Sequence, residues 1–111
     1  MLNQIILVGR LTRDISVHKG ENGKVATLSL AIPRSFKNSE GSYDTDFIDC
    51  VAFDAVAENT SEYCGKGDVV GIKGRVQSKT IEKEDKKEYG LEIICEKVTF
   101  LSSKPKEEAD E

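Results

Sequence analysis

The side chains best suited to chemistry are aromatic rings on one alternating segment, Tyr43-Asp44-Thr45-Asp46-Phe47-Ile48-Asp49-Cys50-Val51-Ala52-Phe53. With the two-residue period of a strand, the segment has two faces. One carries Tyr43, Thr45, Phe47, Asp49, Val51 and Phe53; the other carries Asp44, Asp46, Ile48, Cys50 and Ala52. From Ile48 to Ala52 the second face is small and uncharged, which suits a core. The first face mixes two phenylalanines with Asp49, and a lone carboxylate is costly to bury. Exposed rings on such a face could stack on nucleic-acid bases. Periodicity alone equally allows Phe47, Val51 and Phe53 to be core, with Asp49 at a barrel rim.

Other chemistries find less support. One histidine and no Cys-x-x-Cys pair argue against zinc, and no metal or cofactor is expected. Gly65-Lys66-Gly67-Asp68 lacks the spacing of a phosphate loop and follows a helical segment instead of preceding one, so it reads as a turn. His18 has no partner in any motif and reads as a surface strand residue. Asp44, Asp46 and Asp49 are too regularly spaced for a metal cage; they are expected to pair with lysine or to repel nucleic acid from a wrong path. No nucleophile, base and orienting group come together, so the chain is read as a non-enzyme.

Positioning these groups takes a single domain, and 111 residues suffice to bury a core. The net charge of −4 counts against a generic nucleic-acid binder, so any binding groove must come from local placement of Lys and Arg. The cysteines Cys50, Cys64 and Cys95 are odd in number and far apart, which fits free thiols in a reducing cytoplasm. No signal peptide or membrane-length apolar run is present, and a soluble intracellular protein is expected.

A first strand is expected over Asn3–Thr12, continued by Val17–Lys19 after a break, with a turn at Gly20-Glu21-Asn22-Gly23. Lys24–Ile32 alternates and ends at Pro33; Ser35–Ser42 reads as a loop holding Phe36. After the Tyr43–Phe53 strand, Asp54–Cys64 reads as the one helix, with Asp54 as N-cap, Gly65 as C′ residue and a stripe of Val56, Thr60 and Tyr63. Val69–Lys79 is a strand with Lys73, Arg75, Gln77 and Lys79 on one side. Ile81–Glu88 reads as a hairpin tip, and Tyr89–Leu101 as a last strand bent near Glu96-Lys97. The order is an all-β chain with one short helix between strands 3 and 4. It suits a five-stranded Greek-key barrel, the OB-fold, over residues 1–101, with 102–111 as a short acidic disordered tail.

The segments MLNQIILVGRLTRD, KVATLSLAIPRSF, TDFIDCVAFDAVAENTSEYCGKGDVVGIKGRVQS and EYGLEIICEKVTFLSSKP span nearly the whole chain, from Met1 through Lys104. Together they resemble the bacterial single-stranded DNA-binding proteins of the tetrameric, single-OB type, most of all the short paralogues of Gram-positive bacteria, phages and mobile elements. The resemblance implies stacking on Phe36, Phe47 and Phe53. The family's fourth aromatic position falls on Ile81, which has no π face, and Asp54-Ala55 stand where the family has basic residues. It implies cationic contacts from Arg34, Lys37, Lys66, Arg75 and Lys79, with Lys73 in the same basic row. Lys83, Lys86 and Lys87 are offset by Glu82, Glu84, Asp85 and Glu88.

What the resemblance implies is sequence-independent binding of single-stranded DNA in replication, recombination or repair, by a homotetramer or dimer of dimers. The apolar first strand around Ile5 and Leu7 would supply a dimer contact or core. Family members often end in an acidic peptide closing with Pro-Phe that docks replication and repair enzymes. The segment 104–111 is acidic without a terminal aromatic, so such recruitment is expected to be weak. Two rivals remain: an OB-fold protein-interaction module with lost DNA binding, favoured by the acidic balance, Ile81 and Asp54-Ala55, and an OB-fold binder of RNA or oligosaccharide.

Overall fold

In the computed structural model, which describes residues 1–21 and 23–102, the alternation resolves into strands around one helix. They run β1 (Ile5–Leu11), β2 (Val17–Gly20), β3 (Gly23–Lys37), β4 (Tyr43–Phe53), α1 (Asp54–Tyr63), β5 (Val69–Lys83) and β6 (Lys86–Ser102). Five strands close into a ring in the order β1–β5–β6–β4–β3, with β3 pairing back onto β1 through Arg10↔Ala31 and Leu11↔Leu30. β4 and β6 pair in parallel over Cys50↔Ile93 and Val51↔Ile94; the other pairs are antiparallel. This is the five-stranded OB-fold barrel, with α1 between the third and fourth strands of the ring.

One parity of each ring strand fills the barrel. Leu11, Leu28, Leu30, Val70 and Ile72 supply bulk, and Ala26, Cys50, Ala52, Ala57 and Cys95 fill the narrow places between them. Full burial of each large aliphatic side chain contributes about 1.5–3 kcal/mol. All three cysteines are free and buried. A hydrogen bond with Cys50 and burial push the Cys95 thiol up, and burial pushes up Cys64, so these thiols act as small apolar fillers.

Several boundaries differ from the sequence expectation, each for a local reason. Val17–Gly20 does not continue β1; the turn at 20–23 folds it onto β3 as a strand of its own, from Val17↔Ala26 to Gly20↔Gly23. β3 runs through Pro33 to Lys37 with a register shift between them, the irregularity a missing N–H imposes on a ladder. The hairpin tip is only Glu84-Asp85, both at positive φ (41° and 70°), a two-residue turn that keeps β5 and β6 paired up to Lys83↔Lys86. Asp54 is the first helical residue and not the cap, because its carboxylate accepts the Lys24 N–H. The helix ends at an extended Cys64, and the left-handed position falls at Gly67, not Gly65. α1 buries Ala57 and Thr60 and leaves Tyr63 outside. On β1, Leu7 packs against the core, while Ile6 and Val8 are the exposed apolar side chains. β6 takes in Ser102, and the expected tail from 103 on lies outside the described residues. No helix among the described residues is long and apolar enough to cross a membrane.

The bend expected near Glu96-Lys97 is a bulge. Lys73 pairs with Lys97 and Gly74 with Cys95, leaving Glu96 without an opposite residue. A Cβ at Gly74 would lie 1.9 Å from the Ile94 carbonyl oxygen. Gly74→Ala is therefore expected to destabilise by about 3 kcal/mol or more, read by urea denaturation. Gly20→Ala, whose Cβ would meet nothing closer than 3.5 Å, should change stability by less than about 0.5 kcal/mol.

Candidate nucleic-acid interface

β4 carries the site because its two faces see different surroundings. Cys50 and Ala52 are fully buried, whereas Phe47 is 75% and Phe53 45% exposed. Cross-strand partners complete the outward face: Phe47 lies opposite Ala31, Asp49 opposite Ser29, Val51 opposite Thr27 and Phe53 opposite Val25. His18 on β2 lies opposite Val25, which extends the face by one strand.

Two grooves flank this platform. One, of about 660 Å³, runs between β4 and the β5–β6 ribbon and is lined by Phe47, Val51 and Thr27 on one side and by Lys79 and Leu91 on the other. The second, of about 420 Å³, is lined by Arg13, Asp14, Ser16, His18, Thr27 and Asp49. Thr27 and Asp49 border both channels, Phe47 stands in the larger one, and each channel has a cation in its wall.

Asp49 would repel phosphate if its charge stood alone. The Ser29 hydroxyl donates to its carboxylate at 2.7 Å. Arg13 in turn donates to Ser29 through Nε at 2.9 Å and Nη2 at 2.7 Å, which brings Nη2 to 3.9 Å from the Asp49 carboxylate. Arg13, Thr27 and Ser29 belong to this candidate surface, and motif reading passed over them. Strand pairing was the available signal, since alternation puts Ser29 beside Asp49 once β3 and β4 are in register.

The ten predicted site residues separate into groups. Phe47 and Lys79 share the larger groove, and Phe53 lies farther along the same face of β4. Phe36, 65% exposed, sits near the end of β3 on the β3–β4 hairpin. Lys37 lies over the Tyr43 ring at 5.9 Å. Arg34 is held by Asp46 through Nε and Nη2, with Asp44 3.9 Å from Nη1; Asp46 has the inward parity of Ile48 and Cys50. Lys66 occupies the turn after α1, where its backbone N–H donates to Asp14. Lys73 lies opposite Ile6 on the outer wall, and Arg75 is 3.8 Å from Glu96. Ile81 reaches the surface above Gly90, beside Lys79. The aspartates expected to pair with lysine pair with arginine.

The model of the single-strand binding protein family matches residues 2–101. The chain belongs to that family. It is 41% identical to single-stranded DNA-binding protein B of Bacillus subtilis, over 98% of each chain. It is 42% identical to single-stranded DNA-binding protein 1 of Staphylococcus aureus, covering 94% of this chain and 64% of that one. Among solved structures, a Plasmodium falciparum SSB complex with ssDNA superimposes with a TM-score of 0.78 at 25% identity, over 92% of this chain and 96% of that one. The Thermus aquaticus single-stranded DNA binding protein, at 23% identity and a TM-score of 0.78 over 91% of this chain and 50% of that one, shares the fold. Asp54 has a local structural role that a basic residue could not take over, because its carboxylate binds the Lys24 N–H.

The hydrogen bond from Arg34 holds the Asp46 carboxyl below the ordinary carboxylate range. A lowered carboxyl stabilises the fold fully above its ordinary value, and that stabilisation is lost as pH falls through the lowered one. Arg34→Gln is expected to move the Asp46 titration upward, followed by carboxyl-carbon NMR, and to remove this part of the acid-side pH dependence of stability. An unmoved Asp46 titration would show that the pair does not persist in solution.

Proposed function

We propose that this chain binds single-stranded DNA without sequence preference, stacking bases on the β4 platform and holding phosphates with lysine and arginine beside it. The observation that carries the reading is the pair of exposed rings, Phe47 and Phe53, on a strand whose opposite face is sealed in the core. A core role for the rings would require the reverse burial. The relatives named as single-stranded DNA-binding proteins support the same reading.

Every base has a π face and every phosphate the same charge, so such a surface discriminates little between sequences. Phe47, Phe53 and Phe36 are the stacking residues, with Ile81 as an apolar contact. Lys79 lies nearest the Phe47 groove. Lys66, Lys73 and Arg75 stand at the barrel end and outer wall, where a strand leaving the platform would pass. Arg34 and Lys37 serve the β3–β4 hairpin. The protein acts in the cytoplasm in replication, recombination or repair, as a binding protein with no chemical step. It assembles as a homotetramer or dimer of dimers, and the exposed Ile6 and Val8 on β1 are the apolar surface for that contact.

Phe47→Ala and Phe53→Ala are each expected to weaken oligo-dT binding by about 1–3 kcal/mol in an anisotropy titration, with thermal stability nearly unchanged because both rings are exposed. The logarithm of affinity should fall linearly with the logarithm of salt concentration as counterions are released. Unchanged affinity in a folded double variant, with a flat salt response, would remove the basis of the reading.

A further inference from the structure

The larger groove does not stop at Phe47. Its far wall includes Leu91 on β6, a side chain 74% exposed. Tyr89 lies two residues earlier on the same strand and therefore presents its ring on the same face. It is 79% exposed, more than any of the three predicted stacking rings. In register, Tyr89 is opposite Thr80 and Leu91 opposite Ser78, so only small hydroxyl side chains stand across from them. Ile81 belongs to the other face of this ribbon, above Gly90.

We infer that Tyr89, with Leu91 as its apolar floor, is a further base-stacking subsite that carries single-stranded DNA from the Phe47 groove along the β5–β6 ribbon. The inference rests on the single-stranded DNA reading above. Continuity with the Phe47 groove points to the same occupant, because Leu91 lines that groove and Tyr89 shares its face. On this face the next pair toward the turn is Glu82 opposite Lys87, which leaves no unopposed carboxylate there, while Lys83 and Lys86 belong to the Ile81 face.

The absence of tryptophan makes the test direct, since tyrosine emission comes from Tyr43, Tyr63 and Tyr89 alone. Wild type, Tyr89→Leu and Tyr89→Phe are titrated with oligo-dT of increasing length, following anisotropy and tyrosine emission. Tyr89→Leu is expected to lose about five- to a hundredfold in affinity for long oligomers and much less for the shortest that bind. Tyr89→Phe keeps the ring, so it should bind within about twofold of wild type while losing most of the DNA-dependent emission quench. That arm remains informative if the leucine variant fails to fold. Wild-type affinity and quench unaltered in both variants would overturn the subsite alone. A changed molar mass of DNA-free Tyr89→Leu in light scattering would also overturn it, and would assign Tyr89 to contacts between copies. Failure of the wild type to bind oligo-dT at all would overturn the functional reading beneath it.

Discussion

β5 pairs with β1 along one edge and with β6 along the other, and between Lys73 and Gly74 its register must shift for both to hold. The backbones come so close there that the Ile94 carbonyl occupies the space of a side chain. Ring closure depends on this approach. Without it β1 cannot meet both β5 and β3, and the ring would open with unpaired edges. Closure also makes the interior small, which explains why alanine and cysteine line so much of it.

A small, sealed interior sorts the side chains of β4. Cys50 and Ala52 fill the narrow interior along β4, and the phenylalanines of that strand face outward. The same sorting leaves Asp49 among the rings, and the structure answers with Ser29 and Arg13. A negative net charge is thereby compatible with a surface for a polyanion, because Asp46 and Asp49 on β4 are tied to arginines. The Arg13 network and the Arg34–Asp46 pair lie at opposite parities of β4, one serving the platform and the other the β3–β4 hairpin.

Much of this is legible in the chain. Ile48, Cys50 and Ala52 mark the core face of β4 by size and lack of charge, and Val70, Ile72 and Gly74 do the same for β5. The bulge at Glu96 announces itself as a break in the alternation of the last strand. What is hidden depends on contacts distant in sequence. Arg13 gains meaning only when β3 brings Ser29 beside Asp49. Tyr89 reads as the start of a strand until the two-residue turn at Glu84-Asp85 extends the ribbon and places its ring beyond the Phe47 groove. Residues 83–88 resemble a charged loop because the alternation of a ribbon exposed on both faces carries no hydrophobic signal. Asp54 has the type of a cap, and only its bond to Lys24 shows where its carboxylate is used.

The central claim is that the outward face of β4 is where single-stranded DNA lies. Ultraviolet cross-linking of the protein to oligo-dT, followed by mass spectrometry of the joined peptides, tests it without altering any residue. The account predicts thymine adducts on the peptides bearing Phe47 and Phe53. Adducts confined to α1 and the opposite wall around Tyr63 and Phe100, with none on β4, would contradict it.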